Sequence, residues 1–404
     1  MTISLLWTFD RWLALPLCLV TRWIDLLFKL SLSEGNEEAP PRTICLAKFA
    51  GLGSILNTVP LLCAARRRYP SARIVYLTFA RHKELVQRLT PIDERLFIDE
   101  RSIWTLVHSL YFVTKRLRQL NSCWYLDLQY YTICYFSVLI ATLSGASQTI
   151  GFIRQSTLRK RRYLSRAVYF NAFQPLQTAF NELARAIGVE LCDSAIASEA
   201  SLTTFSQDQQ EVKLHLRRWE KRPKRLLVVN ANASAACFER RWPRQSFAKT
   251  VSGLLLRIPE LGVILTGAAI ERDYVEGLRC AIGPHEERVL NLAGMLSQGG
   301  LLALLKEADC LLSNDSGPMH AGFALGTPTV SLFGPANPQD HVAQADPEKT
   351  IVFYGRVFCS PCIHVIAPPP CGGENACMQL IPVDAVREAC LALLNRTPLR
   401  GGMS

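Results

Sequence analysis

The sequence predicts an α/β protein of two domains, each a parallel sheet covered by helices on both faces. Three observations predict it. The chain has 404 residues, too many for one ordinary core. Short β-rich runs alternate with helical patterns, and they are apolar throughout instead of at every second residue, as strands buried on both faces are. The alternation also occurs twice, fading between about Asn171 and Arg222, where acidic, Ser/Gln-rich and then basic residues intervene. The first domain is therefore expected over residues 43–210 and the second over 223–395.

In the first domain, "TICLAKF" is a strand, "AGLGS" a glycine loop, and "ILNTVPLLCAARRRYP" an amphipathic helix with Pro70 past its end. "RIVYLTF", "RLFIDE", "CWYLDLQ" and "QTIGF" follow as strands. In the second, "RLLVVNANAS", "GVILTGA", "VLNLAG", "DCLLSND" and "PTVSLFG" are strands. Helices are expected between them at "RQSFAKTVSGLLLRI", "ERDYVEGLRCAI", "GGLLALLKEA" and "PMHAGFALG". Ligand loops in such domains lie at the carboxyl ends of the strands, and a cleft between two of them suits a two-substrate reaction.

Residues 1–33 stand apart. Ser4 to Leu30 is rich in Leu and Trp but interrupted by Asp10, Arg11, Arg22 and Asp25. Its uncharged stretch, Trp12 to Thr21, is about half of the ~20 residues a membrane span needs. Trp7, Trp12 and Trp23 with flanking Arg fit a helix lying in the headgroup layer, the alternative being a helix packed on the protein's own surface. A polar, Pro-containing linker, Ser33 to Arg42, leads into the first domain.

The formal net charge is +11, with dense basic clusters at Arg154–Arg166 and Ala64–Pro70. Such an excess is attracted to polyanions. No zinc-finger spacing, RNP-like strand or helix-turn-helix signature accompanies it, so nucleic acid is not expected, and an anionic membrane surface or a phosphorylated substrate is. Most of the fourteen cysteines sit singly in apolar runs, as buried thiols of a reducing compartment do. Cys359, Cys362, Cys371 and Cys377 are different. They share a Pro/Gly-rich loop whose C-x-x-C pair and two further thiols suit a structural zinc ion, with free thiols or a redox disulfide as alternatives.

Chemistry concentrates in the loops. In "SNDSGPMHAGF", Ser316 is placed to cap a helix, Pro318 fits its first turn, and Gly317 lets backbone approach a ligand. Exposed N–H groups there attract phosphate. Capping leaves Asp315 and His320 unexplained. In "NASAACFERRWPRQSF", Arg240 and Arg241 precede a helix, where guanidinium groups can neutralise a diphosphate or simply be solvated. Glu271, at a helix start after "LTGAAI", is placed to accept from ribose hydroxyls or to serve the helix dipole. The loop "KFAGLGSILNTVP" lacks the third glycine of a dinucleotide fingerprint.

Jointly these segments resemble glycosyltransferase family 9, which includes the ADP-heptose:lipopolysaccharide heptosyltransferases, over roughly Thr43 to Val386. "SNDSGPMHAGFALGTPTVSLFGP" resembles the family's nucleotide-diphosphate loop, "RRWPRQSF" its "KRWPxxxF" segment, and "KFAGLGSILNTVPLL" its first-domain loop. The resemblance implies GT-B architecture, two Rossmann-like domains facing across a cleft. It also implies a nucleotide-sugar donor in the second domain and a lipid-linked or phosphorylated glycan acceptor in the first. Inverting transfer would need no metal. Attachment to the inner face of the cell membrane is expected separately, through Leu5–Leu30 together with the Arg154–Arg166 cluster. By motif, Asp315, Ser316, Gly317, His320, Arg240, Arg241 and Glu271 hold the donor.

One departure matters. The family reads Gly-Asp where this chain has Gly53–Ser54, and that Asp is the proposed general base. A serine hydroxyl cannot replace it at neutral pH, and losing general-base help typically costs ~10²–10⁴-fold. Asp127, at a strand's end in the same domain, is the expected substitute, with Ser54 lining the acceptor site. An ordinary strand-end Asp bound to backbone amides is the plainer reading, and a degenerate, non-catalytic relative is the alternative for the chain.

Overall fold

The computed structural model describes Pro16 and residues 40–396, apart from 50, 121–122, 132, 192–201, 221, 234–236, 343–344 and 364–368. But for Pro16, the amphipathic segment at residues 1–33 lies outside the described residues. Among the described residues, no helix is long and apolar enough to cross a membrane.

The chain divides into two compact units between Asp193 and Ser194. The first contains β1 (Thr43–Ala47), β2 (Arg73–Phe79), β3 (Glu94–Ile98), β4 (Cys123–Asp127), β5 (Gln148–Ile153) and β6 (Arg166–Tyr169). The second contains β7 (Arg225–Asn230), β8 (Leu261–Leu265), β9 (Val289–Asn291), β10 (Cys310–Asn314), β11 (Thr329–Phe333) and β12 (Thr350–Tyr354). The sheet orders are β3-β2-β1-β4-β5-β6 and β12-β11-β10-β7-β8-β9. All neighbours pair in parallel. Counted within each unit, both orders are 3-2-1-4-5-6, and the winding reverses beside the first strand. A crevice opens there at the carboxyl ends, between β1 and β4 and between β7 and β10.

The central strands β1, β4, β8, β10 and β11 are buried along their whole length, which is why their sequences carry no alternation. The edge strands β6 and β12 were not read from the sequence; both are partly exposed, and β6 is only four residues long. The amphipathic run after β1 forms two helices, Leu52–Leu56 and Val59–Arg68. Pro60 cannot donate into a preceding turn, so a new helix starts there, with Thr58 as its N-cap residue.

In the first unit, Phe49, Phe79 and Phe136 cluster in the core, with ring centroids 4.9 to 6.3 Å apart. In the second, Trp242 is fully buried against Phe247. The helix Ser206–Leu216, whose first residues fall inside the span read as the first domain, packs on Gln298–Glu307 of the second unit. Glu211 accepts hydrogen bonds there from the Ser297 N–H (2.7 Å) and hydroxyl (2.5 Å).

Candidate functional site

At the carboxyl edge of the second sheet, asparagines tie three loops together. Asn314 accepts a hydrogen bond from the Trp242 N–H (3.1 Å) and donates to the Asn232 carbonyl (3.3 Å). Asn232 in turn donates to the Thr266 carbonyl (2.9 Å). The loops after β7, β8 and β10 are thereby fixed around the point where the winding reverses. The signal was on view in "VVNANAS" and "LLSND": amides at the ends of buried strands can bridge backbone groups that no ladder satisfies.

The helix Gly317–Ala324 begins here, with Pro318 in its first turn as expected. Ser316 is its N-cap residue, yet its hydroxyl makes no capping bond. It accepts instead from the Asn230 amide (2.8 Å) and pairs with Ser313 (3.0 Å). The cap expected of Ser316 is therefore absent, and its hydroxyl leaves the first-turn N–H groups unbonded. That leaves them available to an anion.

Arg240 and Arg241, adjacent in sequence, do different things. Arg240 lies 3.5 Å from the Asp315 carboxylate. Arg241 turns the other way, sandwiched between the rings of Phe238 (4.5 Å) and Tyr274 (4.4 Å) and 3.5 Å from Glu271. Asn375 fixes this turn by donating to the Glu239 and Arg241 carbonyls. Each guanidinium has a buried Nε–H without a hydrogen-bond partner among the described residues, that of Arg240 being the atom 3.5 Å from the Asp315 carboxylate. Buried donors of that kind are costly unless an anion receives them.

His320 is buried, with Nε2 3.9 Å from Asp315 and its ring 5.5 Å from that of His341. Burial first, then His341 and Arg240, push its pKa down to about 3, so at neutral pH it is an uncharged imidazole. Among the described residues, Asp315, His320 and His341 are the group of three whose metal-ligating atoms lie within 4.8 Å of one another. The Arg240 guanidinium already places a cation against that carboxylate. The cysteines Cys359, Cys362, Cys371 and Cys377 do not make such a set. All four are free thiols, close enough that charge on the others adds to the upward push of burial on Cys362 and Cys377.

Beside the helix start lies a pocket of about 460 Å³. Ser316, Gly317 and Pro318 form one end, and Leu292, Leu296 and Leu301 line the apolar part. Glu271 also borders it, one carboxylate oxygen receiving the Ala268 N–H (2.8 Å). An apolar slot next to unsatisfied N–H groups and guanidinium suits a planar base joined to an anion.

In the first unit, Asp127 ends β4 beside β1, as the sequence placed it. Its side chain is fully buried in an ion pair with Lys160, itself fully buried, and it accepts from the Gln129 N–H (3.2 Å). Gly151 permits this: a Cβ there would stand 2.8 Å from the Asp127 Cβ and carbonyl. Lys160 also donates to the Phe152 carbonyl (2.8 Å). The Asp127 carboxylate faces Lys160 and backbone with no exposed surface, and Lys160, unlike Arg159, Arg161 and Arg162, is withdrawn from the surface of its basic run. Lys48, which the sequence reading overlooked, completes the group. It is buried, donates to the Leu128 carbonyl (2.7 Å) and sits 3.7 Å above the Tyr130 ring. Ser54 lies in the first short helix after the Gly51 turn, half-buried, and is not a partner of Asp127 in any of these bonds.

Residues 118–367 match the model of glycosyltransferase family 9 (heptosyltransferase). The chain belongs to that family. Lipooligosaccharide heptosyltransferase 2 of Haemophilus influenzae is 33% identical over 102 residues, which are 25% of this chain and 29% of that relative's length. The lipopolysaccharide core heptosyltransferase OpsX of the same organism is 23% identical over 304 residues, 74% of this chain and 80% of the relative. Among solved structures, the Escherichia coli ADP-heptose lipopolysaccharide heptosyltransferase II superposes with a TM-score of 0.66 at 18% identity, covering 88% of this chain and 99% of that one. The fold of this family 9 member is thus GT-B, with a parallel six-stranded sheet in each unit.

Proposed function

We propose that this family 9 protein transfers a sugar, a heptose by analogy with its relatives, from a nucleotide-diphosphate donor to a lipopolysaccharide core or similar envelope glycan. The observation that carries the proposal is the uncapped start of helix Gly317–Ala324, with Arg240 and Asp315 beside it, opening on an apolar pocket bordered by Glu271. The base would occupy the pocket, the ribose would face Glu271, and the diphosphate would receive the helix N–H groups and Arg240. In an inverting transfer the acceptor oxygen bonds to the anomeric carbon, the bond to the diphosphate breaks, and the acceptor proton passes to a base. Arg240 and the helix start supply the charge that stabilises the leaving diphosphate, so the reaction as proposed uses no metal. The acceptor belongs to the first unit in this reading, and the protein works on the inner face of the membrane.

Titration with ADP tests the donor site, and incubation with ADP-heptose and a panel of core acceptors tests transfer. Failure to bind ADP would sink the proposal.

A second reading rests on a specific observation. Ser54 replaces the family's carboxylate, and the substitute nominated for it, Asp127, is locked to Lys160. The chain would then hold a nucleotide sugar without transferring it. Transfer by the wild type excludes this reading. Absence of transfer, with activity gained in Ser54→Asp, supports it.

A further inference from the structure

The helix Ile103–Gln119, between β3 and β4, has two apolar faces. One carries Leu106, Val113 and Leu117 into the core. On the other, Ile103, Val107 and Tyr111 form one row and Trp104, His108 and Phe112 the next, each at four-residue spacing. Trp104 is 83% exposed, and Ile103, Val107, Tyr111 and Phe112 are each more than half exposed. A contiguous apolar patch of this kind on a folded surface marks an interaction site.

Charge indicates what it meets. The helix contains no acidic residue and ends in exposed Lys115 and Arg118, while its Arg116 is paired to Glu94. Arg118 donates to the Leu143 carbonyl (2.6 Å), which seats the helix against its neighbour Cys134–Leu143. The turn Gln155–Tyr163 packs on that same neighbour, through Tyr163 and Leu164 against Val138 and Leu139. It exposes Arg159, Arg161 and Arg162, with Leu158 half out of the protein. An aromatic stripe and a basic turn thus flank one helix. Trp, Tyr and Phe seat at the boundary of headgroups and acyl chains, and Lys and Arg meet anionic headgroups.

We propose that this face docks on an anionic phospholipid bilayer, with Trp104, Val107, Tyr111 and Phe112 in the interface and Arg159, Arg161 and Arg162 on the headgroups. The inference rests on the membrane-face reading above and adds a folded docking surface to it.

The full-length protein would be co-sedimented with phosphatidylcholine vesicles with and without phosphatidylglycerol, and its tryptophan fluorescence followed with brominated lipid. Binding that requires phosphatidylglycerol is expected. The bromolipid quenching should fall in Trp104→Phe, and the partition coefficient should fall by ~10-fold or more in Trp104→Ser/Phe112→Ser. Arg159→Gln/Arg161→Gln should remove most of the salt-sensitive part of the binding. Circular dichroism melting and ADP titration of the same variants show that fold and donor site are intact. Equal quenching of wild type and Trp104→Phe overturns the docking face even if vesicles are bound, for then another segment carries the contact. So does a wild-type dimer that Trp104→Ser/Phe112→Ser dissolves. Absence of vesicle binding overturns the membrane reading itself, whereas loss of ADP binding would count against the transferase reading alone.

Discussion

Asp127 and Lys160 form an ion pair in which both side chains are fully buried, the carboxylate at the end of β4 and the ammonium from the turn after β5. Two charges withdrawn from water hold each other at this edge of the first sheet, and neither can be removed alone without leaving the other uncompensated.

Asp127→Asn should therefore destabilise the first unit by about 3–5 kcal/mol, and Lys160→Met by a similar amount. Joining Asp127→Leu to Lys160→Met should recover most of the loss. Urea unfolding of the four proteins measures this. A stable Asp127→Asn protein that has lost only transfer would show that Asp127 acts on substrate.

The two arginines should separate in binding experiments. Arg240→Ala removes a guanidinium from the proposed diphosphate position and should weaken ADP binding by about 10–100-fold, the worth of a charge-assisted hydrogen bond. AMP, which lacks the β-phosphate, should feel less of this. Arg241→Ala breaks the stack on Tyr274 and frees Glu271 instead, so it should weaken ADP and adenosine alike. Calorimetric titration of the three ligands decides between them.

Gly267 marks a close approach. A Cβ there would stand 2.6 Å from the Asn232 amide and 3.3 Å from the Glu271 carboxylate. Gly267→Ala should push both side chains from their places and lower ADP affinity by ~10-fold, about 1.4 kcal/mol, and loss of the buried Asn232–Thr266 bond should lower the melting temperature as well. An unchanged affinity would place the nucleotide outside this pocket.

Lys48 predicts a pH dependence. Burial, the first cause, lowers its pKa from 10.5 to about 7, while Cys134 and Asp127 oppose the shift. Between these values the unfolded chain holds a proton that the folded protein has released. Stability therefore rises as pH climbs from 7 towards 9, and falls as pH returns to 7. Lys48→Met should flatten that slope in urea midpoints taken across the range. A slope unchanged in the variant would assign the dependence to other groups.

Much of the candidate site at the start of helix Gly317–Ala324 was legible in the sequence because it is local. Asp315, Ser316, Gly317, Pro318 and His320 lie within six residues at a strand-to-helix junction, and the chemistry of such a junction follows from its residue types. The two α/β units were legible for the same reason, since strand and helix periods are properties of consecutive residues. What contact between distant segments decides was not legible. Arg240 and Arg241 are neighbours with the same side chain, yet only packing sends one to Asp315 and the other between Phe238 and Tyr274. Ser316 reads as a cap, but the Asn230 amide, 86 residues away in the chain, takes its hydroxyl. Asp127 reads as a substitute base or as a strand-end carboxylate bound to backbone amides, and Lys160 as one more cation in a basic run. The absence of a side chain at Gly151 lets β5 approach Asp127, and the fold buries the two charges together. Sequence determined which groups this protein possesses and which elements carry them. Tertiary structure decided which are left facing a ligand, because desolvation and pairing depend on what the fold brings alongside.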